Sequence, residues 1–157
     1  MYYRVRSVIQ LLEARLFLPP PGKFEAITEK YLHQLLDELA AEVKLSPSRL
    51  RALFKVATGQ SFMEYANWLR LTKAWELVAD GYLHITEIAD QLRYGDVSHF
   101  IRAFKQAFGL PPLAYRNLVT KAKDKAKAKA EDSHHRPEIV TTGIVADGPV
   151  FIIVSVR

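Results

Sequence analysis

The chain has 157 residues, 49% of them apolar and 25% charged, a composition that supports one compact domain with extensions and excludes a disordered or collagen-like chain. The absence of cysteine removes disulfides, thiolate nucleophiles and cysteine-based zinc sites. A net charge of +5 and a pI near 9.5 permit a polyanionic partner without requiring one.

The N-terminal residues Met1 to Arg6 lack the unbroken apolar run of a signal peptide. No stretch reaches the roughly 18 apolar residues of a membrane span. A cytoplasmic protein without membrane contact is expected. Val5, Val8, Ile9, Leu12 and Leu16 recur at three-and-four spacing and predict an amphipathic helix over Tyr3 to Leu16, stopped by Leu18-Pro19-Pro20-Pro21-Gly22. A helix-like stretch follows from about Phe24 to Val43, and the sequence leaves open whether it is one helix or two. Ser46-Pro47 marks a helix start, because the hydroxyl can accept an orphan N–H and proline suits the first turn; Gly59 ends that helix after Thr58. Phe62 to Ala79 predicts a longer helix closed by Asp80-Gly81. Ile85 to Leu92 is short, and Val97 to Phe108 runs from an Asp96 cap to Gly109. Leu110-Pro111-Pro112 turns the chain into a last segment, Leu113 to Val119.

The character changes after Thr120. Lys121 to Ala130 alternates lysine with alanine and can be helical but can form no core, so it reads as a linker or basic tail. Glu138 to Val145 and Val150 to Val156 are rich in Val and Ile around Ala146-Asp147-Gly148-Pro149, a hairpin signal. A lone hairpin is marginal in water and is expected to dock, to dimerise the chain, or to be the start of something missing.

Charge and repetition carry the functional reading. Arg49, Arg51 and Lys55 stand between Ser46 and Thr58 with no acid among them, as do Arg102 and Lys105 between Val97 and Gly109. Acids collect just upstream, at Asp37, Glu38 and Glu42 and at Glu87 and Asp90. The two stretches align as an internal repeat of about 50 residues. Leu36, Leu39, Ala40 and Val43 match Ile85, Ile88, Ala89 and Leu92; after one inserted residue, Leu50, Phe54, Lys55 and Gly59 match Phe100, Phe104, Lys105 and Gly109. Each copy is a short helix with an alanine where a second helix crosses closely, a tight turn, and a longer basic helix. That is the helix-turn-helix plan, in which the second helix enters the major groove of a duplex. A connecting helix of about 27 Å suits neighbouring grooves roughly 34 Å apart.

Leu45-Ser46-Pro47-Ser48-Arg49-Leu50-Arg51-Ala52-Leu53-Phe54-Lys55, Thr58-Gly59, Arg70-Leu71 with Ala74, Ile88-Ala89, and Asp96-Val97-Ser98-His99-Phe100-Ile101-Arg102-Ala103-Phe104-Lys105 with Gly109, Pro112, Tyr115 and Arg116 resemble the DNA-binding domain of the AraC/XylS transcription regulators. The likeness spans Leu36 to Arg116. It implies an all-α domain of the seven-helix type, with two helix-turn-helix subdomains joined by a long helix. It also implies an asymmetric site on double-stranded DNA, bound as a monomer, and activation by contact with RNA polymerase. On that basis residues 1–18 form the first helix, 19–35 an extended connection, 36–120 the DNA-binding domain, 121–137 a linker and 138–157 a hairpin tail. By position Ser48, Arg49, Arg51, Ala52 and Lys55 lie on the first reading helix, and Val97, Ser98, Ile101, Arg102 and Lys105 on the second. Arg51 and Arg102 are chosen for base contact, since arginine presents paired donors to guanine. Lys55 and Lys105 read as phosphate contacts or as solvated lysines, and Ile101 as a contact to a thymine methyl or as packing.

The sequence departs from the family at two places. Lys44 and Arg93 stand where glycine is usual in each turn, at about 1–2 kcal/mol apiece if the backbone stays left-handed there. The separate effector-binding domain carried by most members is not visible here, so the chain is expected either to work without a small-molecule effector or to be the remnant of a longer reading frame. The aromatics Phe54, Phe100, Phe104, Phe108, Trp68 and Trp75 could stack single strands but are spaced for a core. His134-His135 is assigned no metal, no cofactor is expected, and His99 either touches phosphate or packs near its turn. No nucleophile motif or phosphate loop supports an enzyme. The rival reading is an adaptor that uses the same helices to hold a protein partner.

Overall fold

Among the described residues, 2–17 and 26–132 of the computed structural model, the chain forms seven helices and no strand. They are α1 (Tyr2–Phe17), α2 (Glu29–Glu42), α3 (Pro47–Thr58), α4 (Phe62–Asp80), α5 (Ile85–Gln91), α6 (Val97–Phe108) and α7 (Pro112–Asp132). The starts follow local chemistry. Thr28, Ser46 and Asp96 each accept a backbone N–H of the first helical turn, from Tyr31, Arg49 and Ser98. Ser61 and Glu64 close a reciprocal capping box on α4, and these hydrogen bonds hold the Glu64 carboxyl below its usual pKa. Gly59 and Gly109, at φ 77° and 80°, end α3 and α6 in the left-handed conformation that glycine adopts without penalty.

Two cores lie side by side. The first gathers Val5, Val8, Leu12 and Leu16 of α1, Leu35, Leu36 and Leu39 of α2, and Leu50 and Phe54 of α3. The second gathers Ile88, Ala89, Leu92, Tyr94, Phe100 and Phe104 around α5 and α6. Helix α4 joins them, giving Phe62 and Ala66 to the first and Ala74 and Val78 to the second. Its 19 residues span about 28 Å at 1.5 Å per residue. Phe54, Phe100 and Phe104 are fully buried, so these aromatics are core and not a stacking platform.

The helix-like stretch expected from about Phe24 to Val43 is one helix over Glu29–Glu42, in which Leu32 and Leu35 are buried; its first turns take up residues 29–35 of the segment assigned as a connection. Helix α7 continues through the lysine–alanine run to Asp132, with residues 121–129 exposed as that composition requires. Lys123 ties it down by donating to the Ala79 carbonyl at 3.1 Å. The expected hairpin over 138–157 lies outside the described residues.

Candidate nucleic-acid interface

The two turns are built alike. After α2, Lys44 N–H donates to Ala41 O at 3.1 Å and Leu45 N–H to Ala40 O at 2.9 Å; after α5, Arg93 N–H donates to Asp90 O at 2.8 Å and Tyr94 N–H to Ala89 O at 2.9 Å. Both are Schellman closures, which need a left-handed residue at the turn. Lys44 and Arg93 supply it at φ 55° and 59°, so the departure from glycine leaves the turn geometry intact. Ala40 and Ala89, the small residues at the expected crossing points, are buried.

The turns set α3 and α6 on their cores by the same side. Leu50 and Phe54, and Phe100 and Phe104, point inward. On the opposite arc of α3, Ser48, Arg49, Arg51, Ala52 and Lys55 are all exposed, on a helix that holds no acid. On α6, Ser98, Arg102 and Lys105 are exposed, again without an acid. Val97 and Ile101 are half-buried and pack against the second core, so packing claims at least part of Ile101. The exposed acids Asp37, Glu38 and Glu42 sit on α2, where Arg15 of α1 pairs with Glu38 at 2.8 Å and with Glu42.

The repeat holds more than the sequence reading took from it. At a constant offset of 50 residues (Phe54 to Phe104), Arg49 corresponds to His99 and Val56 to Gln106, and both α6 residues are exposed on the cationic face. His99 also meets the edge of Tyr94, with ring centroids 5.6 Å apart. Arg51 corresponds to Ile101 and Ala52 to Arg102, so the two arginines occupy neighbouring, non-equivalent places. The repeat also runs on into the following helices. Tyr65 packs on Phe54 at 5.3 Å and Tyr115 on Phe104 at 5.9 Å, and the identical spacing from Gly59 to Tyr65 and from Gly109 to Tyr115 was the available signal.

Arg70 of α4 fixes the second turn from behind. Its guanidinium is buried, donates to the carbonyls of Leu92 (3.1 and 3.2 Å) and Arg93 (3.2 Å), and lies 3.9 Å from the Tyr94 ring centroid. Burial lowers its pKa and raises that of the Tyr94 hydroxyl. Among the described residues no group of three or more potential metal ligands clusters, and no helix is long and apolar enough to cross a membrane.

A family model described as a helix-turn-helix domain matches residues 39–118. The chain is 35% identical over 102 residues to the transcriptional activator RhaR of Pectobacterium carotovorum, a match covering 65% of this chain and 32% of that protein. The C-terminal domain of AraT, a response regulator from Geobacillus stearothermophilus, shares the fold with a TM-score of 0.58 and 28% identity over 73% of this chain and 84% of that domain. The DNA-binding domain of AdpA, solved in complex with a target DNA, matches with a TM-score of 0.61 and 17% identity over 78% of this chain and 97% of that one. The chain spans about a third or less of the length of the curated relatives it matches. With the family match covering half the sequence and the repeated turns and helices in their expected places, the chain belongs to the AraC/XylS family of helix-turn-helix regulators.

Proposed function

We propose that the chain binds double-stranded DNA in a sequence-specific way by laying α3 and α6 into successive major grooves on one face of the duplex. One observation carries this reading: the same Schellman turn occurs twice, each time leading into an acid-free helix whose outward face carries exposed basic residues. The span of α4, about 28 Å, with the helices flanking it, suits a groove repeat of roughly 34 Å. Both reading helices come from one polypeptide, so a monomer suffices for an asymmetric site. That the AdpA domain, of the same fold, was solved with a target DNA supports DNA as the partner.

In this reading Arg51 and Arg102 contact base edges, and Lys55 and Lys105 contact phosphates. Ser48, Arg49, Ala52 and Ser98 complete the surface, with Val97 and Ile101 at its margin. The named role of RhaR as a transcriptional activator supports activation of transcription, with contact to RNA polymerase as its proposed route. Selection from random duplex followed by footprinting tests the proposal, with two protected patches one helical turn apart as the expected result. Arg51→Ala and Arg102→Ala should each relax preference at one position of the site. Retention of the parent preference by both variants would displace the base-reading assignment. No retardation of any duplex at low salt would favour the protein adaptor instead.

A further inference from the structure

Helix α2 and the residues just before it reach across the molecule. The Ile27 side chain is buried in the first core, while its N–H donates to the Arg93 carbonyl, in the turn of the second unit, at 2.9 Å. Four residues on, Tyr31 packs against the first core and turns its ring to Arg93, whose guanidinium lies 4.6 Å from the ring centroid and donates to the hydroxyl at 3.3 Å. Gly95 completes the contact, since a β-carbon there would stand 3.0 Å from that of Ala26. The equivalent turn of the first unit has an exposed Lys44, and among the described residues no side chain or backbone group from another segment bonds to it.

We propose that residues 26–31, closed on Arg93, form a strap that sets the separation and rotation of the two reading helices, making Tyr31 and Arg93 positioning residues for recognition. Helix α4 is a single connection between the cores, and a single helix leaves bending and twisting open to the units at its ends. A second connection, made through the carbonyl that Arg70 also holds, removes that freedom. Arg93 is held from both sides, by α4 and by the start of α2, which accounts for a buried arginine at a left-handed position. The inference rests on the two-groove reading above.

The test uses the full chain, the selected duplex, and the same duplex with one base pair inserted or removed between the two protected patches. One base pair moves the patches by about 3.4 Å and roughly 34°. The parent is expected to lose on the order of tenfold or more in affinity on either altered spacing. Tyr31→Leu and Arg93→Gly are expected to cut that penalty to about threefold or less, with far-UV circular dichroism showing both folded; glycine suits the backbone at 93. A merely structural role would weaken all three duplexes alike and leave the ratio unchanged, which would overturn the strap. A single protected patch with the parent protein would instead overturn the two-groove reading and the strap with it. Two patches with unchanged ratios in both variants would overturn the strap alone.

Discussion

Replacing each left-handed turn residue by glycine separates backbone strain from side-chain contact, because the two turns share geometry and differ in surroundings. Lys44 holds φ 55° with its side chain exposed. Glycine there relieves about 1–2 kcal/mol of left-handed strain, against about 0.5–1 kcal/mol for the freer unfolded chain. Lys44→Gly is expected to gain about 0.5–1 kcal/mol, a rise of roughly 2–5 °C in Tm. Arg93→Gly relieves the same strain at φ 59° but removes a buried guanidinium from the Tyr31 ring and hydroxyl. The desolvated cation–π contact contributes about 1–2 kcal/mol and the hydrogen bond about 1 kcal/mol. The net expectation is a loss of roughly 1–2 kcal/mol, so the two variants should differ by about 2–3 kcal/mol in urea denaturation followed by circular dichroism. Tyr31→Leu should shrink the Arg93→Gly effect and leave the Lys44→Gly effect alone. Equal shifts for the two glycine variants, or indifference of Arg93→Gly to the loss of Tyr31, would refute the account.

Arg70→Leu strips partners from the Leu92 and Arg93 carbonyls and is expected to cost roughly 2–4 kcal/mol in thermal unfolding. Arg70→Lys should recover only part, since one ammonium cannot bridge two carbonyls and lie on the Tyr94 ring together. Burial lifts the Tyr65, Tyr94 and Tyr115 hydroxyls above their ordinary pKa of 10.0. The unfolded chain then releases those protons first, so stability is full below about pH 10 and falls as pH rises through the folded values. The urea midpoint should drop over that range, and less steeply in Tyr94→Phe. Lys55→Ala and Lys105→Ala should weaken binding to all duplexes alike and each reduce the slope of log affinity against log salt by about 1; an unchanged slope would assign them to solvent.

Much of this was legible because it is local. Ser46-Pro47, Asp96, Gly59 and Gly109 mark helix ends through their own hydrogen bonds and φ angles, and the structure uses each as marked. The repeat set Ala40 over Ala89 and Phe54 over Phe104, which fixed both turns and both inward faces. What escaped depends on partners far away in the chain. The helix before Val43 showed in the sequence, but not where its inner face goes: Leu32 and Leu35 meet the first core, and Tyr31 meets Arg93, 62 residues on. Lysine and alanine are good helix formers, and α7 extends through their run without adding to a core; what composition could not show is the tie from Lys123 to the Ala79 carbonyl, 44 residues back.

The offset between Arg51 and Arg102 bears on how the protein would lie on its site. Had the repeat stayed symmetric, both reading helices would present arginine at one helical place, and the two half-sites would favour the same base there. Instead Ile101, half-buried, stands opposite exposed Arg51, and exposed Arg102 stands opposite Ala52. Residues adjacent in sequence are turned by about 100° around a helix, so the two arginines stand at different places around their helices. His99 stands on α6 where Arg49 stands on α3. On the two-groove proposal, half-sites read by such different faces would differ in sequence, and the full site would be asymmetric. With the strap on the second turn and none on the first among the described residues, the asymmetry of the reading surfaces and that of the scaffold would agree.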